Sequence, residues 1–284
     1  MKSFKKFFKK KNKKSKHPLV FGGTLEELIK YEQTHSNNET NVPFIVQDFC
    51  AEIAIHKKKG IFREPGRKTR IDEIIVEYNT KSSRIDLSKE RSHKLLGSVI
   101  KKYFRDLKQS LITPTQALYD HWEKAADVED DVERHNLTMQ VLNDLSDVHY
   151  DTLEYFVQQC ILPIMNDPSL FMDIDNLSKI LGPTLAFEPK SGAPAAKMDS
   201  TNPRNSLQIV MISKTKMVKQ LHYFLTHLTT FLNINDSQDQ EKQPPQNEEV
   251  PIQKEKVPIQ DEEETPTDKE NKEPPTDEDK EPQL

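Results

Sequence analysis

The segment Gly60-Ile-Phe-Arg-Glu-Pro-Gly66 is where this sequence most sharply interrupts its own pattern. Apolar residues recur at helical spacing on both sides of it. A glycine at each end and a proline inside make it a defined loop. Arg63 stands at its middle, behind Phe62, which is placed to anchor the loop in a core. A rigid loop that projects a guanidinium could stabilise charge spreading over phosphoryl oxygens during transfer to water. The group is planar, delocalised and rich in donors, which suits that task. The alternative is a solvated surface charge, the usual state of a lone arginine in a loop.

Other chemistries find little support. No GxxxxGKS/T cradle and no GxGxxG is present, so the chain is not expected to bind a nucleotide in the P-loop manner. No Ser-His-Asp or HExxH arrangement stands out among the nine histidines, and no Cys/His cluster suggests a metal. No cofactor and no nucleic-acid partner are expected. Cys50 and Cys160 lie in apolar stretches and read as buried free thiols, which fits a reducing compartment. No apolar run approaches the ~18 residues needed to cross a bilayer, and the expectation is a cytoplasmic protein.

The ends of the chain have opposite charge. Residues 1–16 carry nine lysines and no acid, with Phe4, Phe7 and Phe8 among them. Lys5, Lys6, Phe7, Phe8, Lys9 and Lys10 resemble a membrane-surface segment. The lysines would be drawn to anionic lipid and the aromatics would insert, which would bring the protein to the inner face of the plasma membrane. A nuclear-import signal and plain solvation are the rivals. From Asp236 onward the chain holds 17 acids, 6 lysines and 8 prolines, with VPIQ repeated at Val250–Gln253 and Val257–Gln260. Such a segment cannot bury enough apolar area to offset ordering, so a disordered spacer is expected, with a docking motif as the alternative. The domain reading is therefore 1–17 basic tail, 18–233 folded domain and 234–284 acidic tail.

Helical periodicity dominates the middle. Thr24 and Glu27 form a capping box ahead of LEELIKYEQ, and Pro43 opens a helix that ends by Gly60. Ile71, Ile74, Ile75 and Tyr78 mark a third helix. Leu95, Leu96, Val99, Ile100, Tyr103 and Phe104 mark a fourth, beginning near Ser88. Further helices are expected over 114–126, 129–145, 150–165, 176–181 and 206–232. Alternating strand-like runs are scarce, so the class is all-α, with about eight or nine helices. Lys101 and Arg105 are four apart and share one face of the fourth helix, which by itself reads as a solvated basic face.

Four segments in order give a resemblance. GIFREPG resembles the GIFRxxG loop of Rho GTPase-activating (RhoGAP) domains, and Lys101-Lys-Tyr-Phe-Arg105 with Leu107 resembles their KxYLRxLP segment. Asn176-Leu-Ser-Lys-Ile-Leu-Gly-Pro183 resembles NLAxxFGP. Phe21-Gly-Gly-Thr-Leu-Glu-Glu-Leu28, followed by Val42-Pro43, resembles the opening of that family. The resemblance implies a helical bundle that docks on the switch regions of a GTP-bound Rho-family small GTPase. Arg63 matches the family's catalytic finger. Lys101 and Arg105 match residues that support the finger loop and contact the GTPase. Asn176 matches the asparagine that helps hold the arginine, and Pro183 a proline of the same surface. An activator of hydrolysis is expected; a module that grips a GTPase without accelerating it is the alternative.

The sequence departs from the family pattern in places. LPePL becomes Leu107-Lys-Gln-Ser-Leu111, LPxxN becomes Leu145-Ser-Asp-Val-His149, and NkM becomes Leu170-Phe-Met172. These changes bear on loops and partner contacts rather than on the finger.

Overall fold

Thr24 does what its position predicts. Its Oγ1 accepts the Glu27 N–H at 3.3 Å, and α1 runs from Leu25 to His35. The computed structural model describes residues 17–189 and 203–232, the side chains of the second stretch from Val210 onward. Apart from His17, the two tails and their expected disorder lie outside the described residues, and so does the proposed membrane-surface segment.

Among the described residues the chain is helical, with no strand. After α1 come α2 (Phe44–His56), α3 (Lys68–Lys81), α4 (His93–Asp106), α5 (Gln116–Asp127) and α6 (Asp131–Asn143). Next, α7 (Asp147–Phe156) passes through a π turn (Val157–Ile161) into α8 (Leu162–Met165) as one continuous run. The wide turn comes just before Pro163, whose ring and missing N–H a regular α ladder would not accept. A 3₁₀ turn (Pro168–Leu170) leads to α9 (Ile174–Leu185), and α10 (Pro203–Thr226) and α11 (Leu228–Phe231) close the domain.

Several boundaries differ from the sequence reading, and two of them have a clear physical reason. α4 starts at His93 rather than near Ser88. Ser92 is its cap, while the Ser88 N–H is taken into a turn by Asp86 Oδ1 at 2.9 Å. α9 does not stop at Leu181 but runs through Pro183. Its packing on α10 is close enough that a Cβ on Gly182 would lie 2.9 Å from the Met217 carbonyl oxygen. That contact outweighs the one helical bond that Pro183 removes near the helix end.

A single apolar core joins the helices. The apolar stripe of α4, from Leu95 to Phe104, is buried throughout and meets α2, α3 and α9. Phe104 packs on Phe156 at 4.8 Å, and Tyr103 meets Phe21 edge-on at 5.6 Å. α4 is thus a fixed rail, and its remaining face is free to hold something else.

Candidate functional site

What that face holds is the loop between α2 and α3. Lys94, Ser98, Lys101 and Arg105 recur at four- and three-residue spacing, so they line one stripe of α4. The first three each take hold of the loop. Lys94 pairs with Glu64, Ser98 Oγ accepts the Gly66 N–H at 2.8 Å, and Lys101 Nζ donates to the Phe62 carbonyl oxygen. Gly97 lies on the same side, and a Cβ there would come within 2.9 Å of the Phe62 backbone nitrogen. Any larger residue would push the loop off the helix.

The loop also folds on itself. Gly60 has φ +91°, where only glycine is at ease, and its carbonyl accepts from Arg63 N at 3.0 Å and Glu64 N at 2.9 Å. Phe62 has φ +62°, an unusual state for a bulky residue, yet its ring is 1% exposed. Burial of that ring holds the strained backbone in place. At the other end, Lys57 Nζ donates to the Pro163 carbonyl at 3.0 Å, which ties the end of α2 to α8.

Against this fixed backbone, the side chain of Arg63 stands apart. It is exposed and makes no hydrogen bond or ion pair among the described residues. Lys101 differs: it is half-buried, and burial, helped by the neighbouring Arg105 cation, pushes its ammonium below the usual lysine value. Lys94 holds the Glu64 carboxyl below its ordinary range.

The other sequence-predicted residues fall in two places. Arg105 is exposed one turn beyond Lys101, and its guanidinium has no hydrogen-bond partner among the described residues. Asn176 lies in the first turn of α9, half-exposed. Its backbone N–H donates to the Asp173 cap at 2.8 Å, and its side-chain amide has no partner among the described residues. No hydrogen bond joins it to Arg63. Pro183 sits two turns further along α9, in an open groove with Tyr119, Glu123, Phe187, Val210 and Met217. Sequence reading misses Lys94, Gly97 and Ser98 as holders of the loop. The signal is there, because they share the stripe that carries Lys101.

The sequence model of the RhoGAP domain family matches residues 43–190, which includes the loop, the α4 stripe and all of α9. The chain belongs to the RhoGAP domain family. Rho GTPase-activating protein 21 of Xenopus tropicalis is 32% identical over 155 residues, covering 53% of this chain and 8% of that protein. Rho GTPase-activating protein 23 of Mus musculus is 31% identical over 180 residues, covering 62% and 12%. This chain thus spans about a tenth of the length of those relatives. The fold is similar to the crystal structure of human Rho GTPase activating protein 15, with a TM-score of 0.59 at 16% identity. That match covers 75% of this chain and 91% of the other. The likeness in fold therefore extends over nearly the whole of that domain, although few residues are shared.

Proposed function

We propose that this domain accelerates GTP hydrolysis by a Rho-family small GTPase in its GTP-bound form, with Arg63 entering the partner's active site in trans. The observation that carries the reading is a contrast within one loop. Backbone and neighbours are held by Lys94, Ser98, Lys101 and the buried Phe62 ring, while the guanidinium at the centre is exposed and uncommitted. Pre-organisation of this kind suits a cation that must meet charge as it develops on a γ-phosphoryl group. In this reading Lys101 positions the loop, and Arg105 adds a cation to the docking face. Asn176 offers a free amide to the arginine or to the partner's switch region, and Pro183 belongs to the outer part of the same surface. The names of the relatives support the same class of activity.

The test is single-turnover hydrolysis on a panel of GTP-loaded small GTPases. Arg63→Ala is expected to lower the accelerated rate by about 10³–10⁵-fold, roughly 4–7 kcal/mol of transition-state stabilisation. Affinity for the GTP-bound partner and helical content should stay close to the original, since the side chain fills no core. Arg63→Lys should be nearly as poor, because an ammonium lacks the guanidinium fork. A variant still within threefold of the parent would remove Arg63 from the mechanism. Tight binding of a GTP-loaded partner by the unaltered chain without acceleration would install the binding-module reading instead.

The basic N-terminal segment supports a second, separate proposal: recruitment to anionic membrane through residues 1–16. Vesicle co-sedimentation that is equal on neutral and anionic lipid would overturn it.

A further inference from the structure

Leu170 and Met172 are buried, at 3% and 4% exposure, but Phe171 between them is 66% exposed. Its backbone lies in the left-handed region, at φ +51°. It follows the 3₁₀ turn, and its N–H donates to the Pro168 carbonyl at 3.2 Å. Glycine or asparagine is the usual occupant of such a position, because a side chain as bulky as phenylalanine is strained there. An aromatic ring is therefore kept in an unfavourable backbone state and held out in water. Burial within the domain explains neither.

The ring's partner is Lys59, whose Nζ lies 4.3 Å from the ring centroid. Lys59 is the residue before Gly60, so the contact joins the Phe171 turn to the base of the finger loop. One face of the ring is covered by the cation, and the ring as a whole remains mostly open. Where the family pattern NkM carries a lysine, this chain carries Phe171. Five residues later comes Asn176, at the start of α9.

We propose that Phe171 is a docking and selectivity residue: an aromatic wedge beside the finger loop that packs on an apolar patch of the GTP-bound small GTPase. This rests on the reading that such a GTPase is the partner, and it adds what that partner must present near Arg63. Continuity with the finger loop is the reason for choosing this occupant, since a surface that receives Arg63 also meets the residue tied to Lys59. Aromatic and arginine side chains are the types that dominate such contacts. Docking would shield the Lys59–Phe171 pair from water and strengthen it. A partner carrying a carboxylate at the facing position would be rejected, because that anion would be desolvated against the negative face of a ring.

The test uses the full chain with Phe171→Asn and Phe171→Leu. Asparagine takes the left-handed backbone readily, so the fold should survive, and melting should occur at or above the parent temperature. Two quantities are measured on the GTPase that responds best. One is Kd with a non-hydrolysable GTP analogue bound, and the other is the single-turnover rate at saturating domain. Phe171→Asn should weaken Kd by about 10- to 100-fold, with a smaller loss for leucine, while the saturated rate stays within about twofold. Unchanged affinity in both variants would overturn the proposal. A fall in saturated rate with affinity kept would also overturn it, making the ring a brace for the loop through Lys59. If the unaltered chain binds no GTP-loaded Rho-type GTPase, the proposed function fails and this inference with it. If it binds and Phe171 is indifferent, only the inference fails.

Discussion

Helix α2 has a charged residue at each end, and the fold treats the two in opposite ways. At its start, Glu32 of α1 is 2% exposed and held by two hydrogen bonds. Its Oε2 accepts from Asn38 Nδ2 at 2.8 Å and from the Phe44 N–H at 3.0 Å. Pro43, the cap residue of α2, has no side-chain oxygen, so the carboxylate of a neighbouring helix takes the capping role. Asn38 is itself satisfied by the Val42 carbonyl and by Thr40. Past the other end of α2, the Arg63 side chain stands exposed with no hydrogen bond among the described residues, while the backbone of its loop is fixed. A charge that serves the fold is given partners within the chain. On the proposed reading, a charge for use outside the chain is given only a rigid mount.

The largest test of this contrast is at the buried end. Burial pushes the Glu32 carboxyl up to about 7, against the lowering effect of the Phe44 N–H, the Asn38 amide and nearby Arg84. The folded pKa is thus raised above the ordinary carboxylate value. The associated stability is fully present below about pH 4.5 and is lost as pH rises through about 7. Over that window Glu32's own contribution should fall by about 3 kcal/mol, at 1.36 kcal/mol per unit. Glu32→Gln keeps an oxygen for Phe44 and removes the ionisation. Urea unfolding from pH 4.5 to 8 should then show a flatter profile, with the variant more stable than the parent at pH 8. Its effect on GTP hydrolysis should be negligible. A parallel profile in both proteins would show that Glu32 does not titrate in this range, and a large rate loss would break the division between the two ends.

Next in size is the brace under the finger. Lys101→Met keeps the aliphatic stem and removes the donor to the Phe62 carbonyl. The ring of Phe62 and the Ser98 bond still hold the loop near its place, so the chemistry should be damaged but not lost. A rate reduction of about 10- to 100-fold at saturating domain is expected, since a displacement of an ångström or so at a reacting centre costs this much. Hydrogen exchange should rise at the Arg63 and Glu64 amides. A variant with full saturated rate and weakened binding would make Lys101 a contact for the partner and not a brace.

Much of this arrangement is legible in the sequence, and what is not has a physical reason. The finger loop announces itself through Gly60, Pro65 and Gly66, and α4 through its regular apolar stripe. Glu32 also has a signal: it falls at the same helical register as Leu25, Leu28 and Ile29, the face that is buried. Its partners have none, because Asn38 and the Phe44 N–H meet it only through the turn between α1 and α2. The continuation of α9 through Pro183 is a tertiary effect of α10, invisible to a rule about proline. Phe171 is hidden for another reason. The departure from NkM assigns its segment to loops and partner contacts, but nothing in its type reveals a left-handed backbone or an exposed ring.

The smallest effect should come from the exposed pair that closes the loop over α4. Glu64 and Lys94 form an ion pair, and both side chains are more than two-fifths exposed. Solvent and salt screen such a pair, and long side chains lose freedom in making it. Lys94 keeps the Glu64 carboxyl below its ordinary range, so the pair is intact at any pH near neutrality and is lost only as acid protonates the carboxylate. The loop does not depend on it, because Gly60 to Glu64 are closed by backbone bonds and Gly66 by Ser98. Glu64→Gln should therefore change the saturated rate by less than about threefold, and the parent's rate should respond little to added salt once binding is saturated. The informative comparison is with Lys101→Met, measured side by side. If the glutamine variant loses as much as the methionine one, the surface pair is the main clamp. The half-buried lysine would then be reassigned to contact with the partner.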